Sequence, residues 1–243
     1  MTKANETDSL TPPSYEDVAF VWNDNPNDQY RRDQSHWRDQ GRWDPDTWAA
    51  IGRSSLASIR SAASMLGRPV PAGPLLEWGP GGGSNLLAFA GTSSMLYGVD
   101  IAPSNLAEAG RVLAELDSPP PFVPIVVGAD PTAVADEIAE PVDIFVSTAV
   151  FQHFPSREYG ADVLRTVARA LSPHAIGLIQ IRYDNGSPRY APKKADYKRQ
   201  HITFTSYPLE EFWDLLVVAG LRPLAITDIR SSHNYATFTF VPA

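Results

Sequence analysis

Residues 75–85 read LLEWGPGGGSN. An apolar pair runs into an acid, Glu77, then into a turn with four glycines in five positions, then into a polar pair. Glycine reaches positive φ without strain and lets other groups come close to the main chain. A turn this bare, after the strand-like PLLEW and before the helix-like SNLLAFA, marks a handover from strand to helix that something is meant to approach.

Downstream the same alternation continues. PLLEW, MLYGVD, FVPIVVGAD, VDIFVS and AIGLIQIRY read as strands. SNLLAFAG, APSNLAEAGRVLAEL, DPTAVADEIA and YGADVLRTVARALS between them read as helices. Strands alternating with helices imply βαβ units and a parallel sheet. The rhythm breaks after the helix LEEFWDLLVVAG, where LRPLAITDIR and NYATFTFVP are joined only by SSHN. A parallel pair needs a crossover of about a dozen residues, so these two strands form an antiparallel hairpin at the sheet's final edge. Upstream, residues 1–14 read as a disordered polar tail. Residues 15–73 read as helical and carry Tyr15, Trp22, Tyr30, Trp37, Trp43 and Trp48. Asp44 is an N-cap candidate there, with Pro45 at the first helical position.

Composition narrows the function. The 243 residues are 43% apolar, enough for a full core. A net charge of -8 argues against a nucleic-acid partner, because phosphate binding needs clustered Lys and Arg. The absence of cysteine removes disulfides, thiolate catalysis and Cys-based metal sites. No apolar run approaches the roughly 20 residues of a membrane helix, and the polar start does not read as a leader, so a cytoplasmic protein is expected. The 22 prolines fall mostly at segment borders.

Two cofactor classes use glycine turns at the C-terminal edge of a parallel sheet. A dinucleotide turn wants G-x-G-x-x-G; counted from Gly79 and Gly81, its third glycine is replaced by Ser84. The sequence gives Glu77-x-Gly79-x-Gly81-x-Gly83 instead. With the acid of YGVD after the next strand and the closing hairpin, residues from about 74 to 243 resemble a class I S-adenosylmethionine-dependent methyltransferase of the small-molecule type. The resemblance implies an α/β fold: a seven-stranded Rossmann-like sheet, mostly parallel with an antiparallel last strand, under an N-terminal helical substrate lid. An acceptor-site insertion is expected at about 183–206. Pro80 departs from the family turn without disturbing its spacing.

By that resemblance Gly79, Gly81 and Gly83 line the methionine and ribose of S-adenosylmethionine. Asp100 accepts from both ribose hydroxyls, which suits an acceptor-only carboxylate, and Ile101 packs on adenine. Asp130 lies where the adenine amino group is bound, although an acid before Pro131 is equally a helix cap. Ser147 lies at the methionine end, and Glu77 holds the turn or touches the cofactor. His153, in FQHFP after the fourth strand, is the candidate base, with an ordinary pKa near operating pH; Gln152 is a candidate to orient the acceptor. His36 reads as part of the lid. Trp37, Trp43, Tyr30, Tyr183 and His201 are candidate acceptor-binding residues, since aromatic walls suit a ring-bearing molecule. No metal is expected: Asp184 and Asn185 resemble two ligands of a magnesium-dependent branch, but VSTAV lacks the carboxylate expected after strand four.

The expected activity is methylation of a small molecule, with the oxygen of a sugar or hydroxylated metabolite ahead of a nitrogen or carbon of an aromatic or indole-type ring. A macromolecular substrate and a non-catalytic cofactor-binding module are the rival classes. A homodimer is compatible with the sequence.

Overall fold

The computed structural model describes residues 13–39 and 42–243; most of the N-terminal stretch read as a disordered tail lies outside them. A single seven-stranded sheet organises the chain. Its strands are β1 (Leu75–Trp78), β2 (Leu96–Asp100), β3 (Phe122–Val126), β4 (Val142–Ser147), β5 (Leu171–Arg182), β6 (Leu221–Arg230) and β7 (Tyr235–Pro242). They lie in the order β3-β2-β1-β4-β5-β7-β6. β1 to β5 pair in parallel, while β7 runs antiparallel to both β5 and β6. The seven-stranded reading with its antiparallel last strand is therefore correct. The hairpin does not simply extend the edge: β7 inserts against β5 and leaves β6 outermost.

Side chains of a strand alternate between faces, and both faces of this sheet are buried. Leu75, Ile144, Val146, Ile176 and Leu178 point to one side, with Ile59, Leu86, Phe89, Ala109 and Leu113. Leu76, Trp78, Phe145, Ile179 and Phe238 point to the other, with Val163, Leu164, Val167, Phe212 and Leu216. The first layer is built by α3 (Pro45–Met65), α4 (Ser84–Phe89) and α5 (Pro103–Leu113), the second by α6 (Arg157–Ala170) and α8 (Leu209–Val218). Each such side chain, moved out of water, stabilises the fold by roughly 1.5–3 kcal/mol before entropy is charged.

The 21-residue α3 begins as the sequence suggests, with Pro45 at its first turn and the Asp44 carboxylate accepting from the Thr47 amide at 2.9 Å. Its Ile59, Ala62 and Ala63 belong to the sheet's core, so within the helical segment 15–73 only the part before it lies over the sheet edge. That part comprises α1 (Tyr15–Ala19), a π-helical turn at Phe20–Asp24 and α2 (Asp28–Gln34). The insertion after β5 carries a short helix, α7 (Tyr197–Gln200). DPTAVADEIA forms a 3-10 helix, Pro131–Glu137, rather than an α-helix.

Gly177 shows how tightly β5 and β7 are joined. It pairs with Phe240, whose ring occupies the space beside it; a Cβ built there would be 2.1 Å from the ring. Gly177→Ala is expected to destabilise the protein by about 1–3 kcal/mol through overpacking, read as a lowered urea midpoint. An unchanged midpoint would show that β7 yields without strain.

Candidate active site

The C-terminal ends of β1, β2, β3 and β4 open into one cavity of about 290 Å³, covered by residues of α1, the π-helical turn and the loop after α2. Three of the turn's glycines have positive φ: Gly79 at 75°, Gly81 at 50° and Gly83 at 81°. The Gly79 amide donates to Val99 O at 2.7 Å, tying the turn to β2. Gly83 caps α4, and the Ser84 hydroxyl donates to Trp48 O at 2.6 Å, tying the turn to α3. Glu77, Gly79, Gly81, Asp100 and Ile101 line the cavity; Gly83 sits behind it, at the start of α4.

The two acids are buried. Asp100 accepts from the Ala102 amide at 2.8 Å and from Asn105 Nδ2 at 3.2 Å. Burial still pushes its pKa up to about 6, against those hydrogen bonds. Glu77 accepts from Asn85 Nδ2 at 2.6 Å through one oxygen, while its Oε2 is buried with no partner. Burial raises its pKa to about 8. A carboxyl at a cavity wall with one unpartnered oxygen can receive a cation or a hydrogen-bond donor.

His153 also lines the cavity. Its Nδ1 donates to His201 O at 2.8 Å, which leaves Nε2 as the ring's acceptor. Burial lowers its pKa to about 3, so the sequence expectation of a base titrating near operating pH is corrected. Its surroundings explain this. The Trp22 ring meets it edge-on at 4.9 Å, Trp22 Nε1 donates to Tyr197 OH at 3.2 Å, and Tyr197 OH donates to His153 O. His201 Nδ1 donates to Lys198 O, so its Nε2 accepts from Tyr30 OH at 2.8 Å. The N-terminal segment and the insertion thus meet over His153 and shield much of it from water.

Other expectations are placed elsewhere. Asp130 is exposed and caps its own 3-10 helix, accepting from the Thr132 amide at 2.8 Å and hydroxyl at 2.6 Å; Ala129 and Val127 line the cavity instead. The fully buried Ser147 hydroxyl donates to Trp78 O at 3.0 Å, and Thr148, Ala149 and Val150 take the wall. Ala149 has φ 57°, a strained value for a residue with a Cβ. Gln152 points away, donating to Tyr235 OH at 3.2 Å. Trp37 donates to Asn105 Oδ1 at 2.9 Å, Trp43 to Asp33 O at 2.8 Å, and Tyr183 joins Tyr207 through a backbone bridge. None of these three, nor Tyr30 or His201, is part of the cavity lining; Tyr15, Trp22, Gln34, His36 and Tyr159 are. Asp184 and Asn185 cap local turns, accepting from Gly186 and Ser187 amides. Among the described residues there is no cluster of three His, Cys, Asp or Glu that could hold a metal ion, and no helix is long and apolar enough to cross a membrane.

Comparison with known proteins agrees with this geometry. Residues 76–179 match a family model described as a methyltransferase domain. No curated protein matches the chain by sequence. Among solved structures, magnesium protoporphyrin IX methyltransferase from Synechocystis PCC 6803 with bound S-adenosylmethionine is similar at a TM-score of 0.62 and 16% identity, covering 96% of this chain and 100% of that one. N-methyltransferase NodS from Bradyrhizobium japonicum WM9, in complex with S-adenosylhomocysteine, gives 0.60 and 14%, covering 94% and 97%. An S-adenosylmethionine-dependent methyltransferase from Clostridium acetobutylicum ATCC 824 gives 0.59 and 10%, covering 83% and 93%. Strand order, glycine turn and domain match agree: residues 76–179 match a methyltransferase domain, set within a chain whose sheet has the Rossmann-like fold of these methyltransferase structures.

Proposed function

We propose that this chain methylates a small molecule, at a ring-borne hydroxyl. The observation that supports this best is the single covered cavity, which brings the two buried acids and the free Nε2 of His153 together under the aromatic lid. The similar structures named above include enzymes of porphyrin and N-methyl chemistry. Bound in the cavity, S-adenosylmethionine supplies an electrophilic methyl group. Asp100 takes the two ribose hydroxyls, the orphaned oxygen of Glu77 faces the cofactor's cationic end, and Ile101 and Val127 hold the adenine. Ala129, not Asp130, forms the wall beside it. The lid excludes water, and Trp22 and His153 hold the acceptor in line.

An imidazole with a pKa near 3 does not strip an aliphatic alcohol. It orients an acidic hydroxyl through Nε2 and receives its proton as the methyl arrives. This favours a phenolic acceptor over a sugar. The weak base also supports a second reading, methylation of an aromatic ring nitrogen that has no proton to lose.

Asp100→Ala is expected to weaken S-adenosylhomocysteine binding more than tenfold, roughly 2–4 kcal/mol for two charge-assisted hydrogen bonds, in a folded protein. Calorimetry showing wild-type affinity would remove the ribose assignment.

The acids also predict a pH dependence. The unliganded site holds a proton on Glu77 up to about pH 8 and on Asp100 up to about pH 6. A cationic, donor-rich ligand binds the carboxylates, so protons leave on binding and affinity for S-adenosylhomocysteine rises from pH 6 to pH 8. Calorimetry in buffers of different ionisation enthalpy should show proton release at pH 7, absent in Glu77→Gln. Release that is nil in the wild type would mean the cofactor does not meet Glu77.

His153→Ala is expected to lower kcat roughly tenfold or more on a hydroxyl acceptor, less than the 10²–10⁴ of a well-matched base, and the wild-type kcat/KM profile should show no His153 limb between pH 5 and 8. Acceptors are found by screening phenols against ring-nitrogen heterocycles with labelled S-adenosylmethionine. Turnover confined to heterocycles and indifferent to His153→Ala would select the second reading.

A further inference from the structure

Gly82 is not one of the spaced glycines of the turn; it fills a variable position between Gly81 and Gly83. It alone of the four stays out of the positive-φ region, so its backbone conformation does not call for glycine. Space does. A Cβ at Gly82 would lie 2.2 Å from His36 O and 2.9 Å from the Trp37 Cα. At the neighbouring Gly81 a Cβ would lie 2.4 Å from Ser35 O. The Gly82 amide donates to that same Ser35 O at 2.7 Å. Main chain here rests directly on main chain, and the neighbour that would have to give way is not a flexible side chain.

The segment seated on it enters the cavity. Gln34, Ser35 and His36 all line it. His36 is held at φ 55°, and its ring packs edge-on against Trp43 at 4.2 Å. Trp37 fastens the segment's far side through its bond to Asn105, whose amide also donates to Asp100. The turn, the ribose acid and the lid therefore share one set of contacts.

We propose that Gly82 is a lid-positioning residue. It lets Ser35–Trp37 dock on the glycine turn, delivers Ser35 and His36 to the cofactor's side of the cavity, and so couples lid docking to cofactor binding. This rests on the cavity being the S-adenosylmethionine site. A ligand that touches both the turn and the docked segment binds the docked state better, and docking in turn strengthens its binding.

The test is hydrogen–deuterium exchange on the full chain, with and without S-adenosylhomocysteine, in the wild type and Gly82→Ala. In the wild type the ligand should slow exchange across residues 34–37. In Gly82→Ala the unliganded segment should exchange about tenfold faster, with β1, β4 and β5 unchanged. Affinity for S-adenosylhomocysteine should fall about fivefold or more, and the ligand should protect 34–37 less. If Gly82→Ala does not fold, Trp37→Phe loosens the same segment from its other side and should speed its exchange and weaken the ligand in the same direction. Wild-type exchange at 34–37 in a folded Gly82→Ala overturns the seat. Faster exchange with wild-type affinity overturns the coupling. Failure of the wild type to bind S-adenosylhomocysteine overturns the cofactor reading instead, while the unliganded comparison still decides whether Gly82 seats the lid.

Discussion

Everything in this protein converges on a turn that has no room for side chains. The chain between β1 and α4 must leave the sheet, bend three times through positive φ, and start a helix, all while other groups press against it. Val150 approaches at Gly79, Ser35 and His36 at Gly81 and Gly82, and Ala109 at Gly83. Each contact belongs to a different part of the fold: the loop after β4, the lid and α5. Removing side chains from four of five residues is what allows these parts to close around one cavity. The entropy lost by ordering so many glycines is offset by the core on both faces of the sheet.

The second constraint is electrostatic. Closing a cavity over Glu77 and Asp100 takes two carboxyls out of water, and desolvation outweighs their hydrogen bonds, since both pKa values rise. Asp100 has more donors and rises less; Glu77 has one strong donor, an orphaned oxygen, and rises more. Protonation lets the empty site tolerate the burial. In the proposed function the same residues become carboxylates when a cation and ribose donors arrive, so stability of the unliganded fold and affinity for such a ligand compete for the same protons. A raised carboxyl pKa stabilises the fold at acid pH and ceases to do so as pH climbs through the folded value.

The sheet was legible in the sequence because its signals are local: apolar runs of strand length, helical stretches between them, and a link too short for a crossover. The turn was legible from its spacing, and Asp100 through the family resemblance that the spacing carries. Acceptor-side residues were not, because neighbours from 10 to 175 positions apart decide in combination where a side chain points. Trp37 and Trp43 have the rings of a binding wall, yet their indole N–H groups are satisfied by Asn105 and by Asp33 O, which turns them into fasteners. Asp130 follows the local rule for an acid before proline, and that rule wins over the family position. Trp22 gave no signal of its own; only the π-helical turn, a rare form often found at functional sites, aims it at His153.

His153 shows the cost of closure most clearly. A strong base needs either water or a counter-charge to stabilise its cationic form. Here Trp22, Tyr197 and His201 surround it with rings and a single backbone acceptor, and no carboxylate pairs with it among the described residues. His201 from the insertion, Arg182 from β5 and His36 from the N-terminal segment oppose its protonation further. Exclusion of water, which protects the transfer, and basicity, which would drive proton removal, are therefore alternatives at this position. The fold has taken the first. Under the proposed function the acceptor then brings its own acidity or has no proton to lose, and a sulfonium, already a strong methyl donor, makes that division of labour workable.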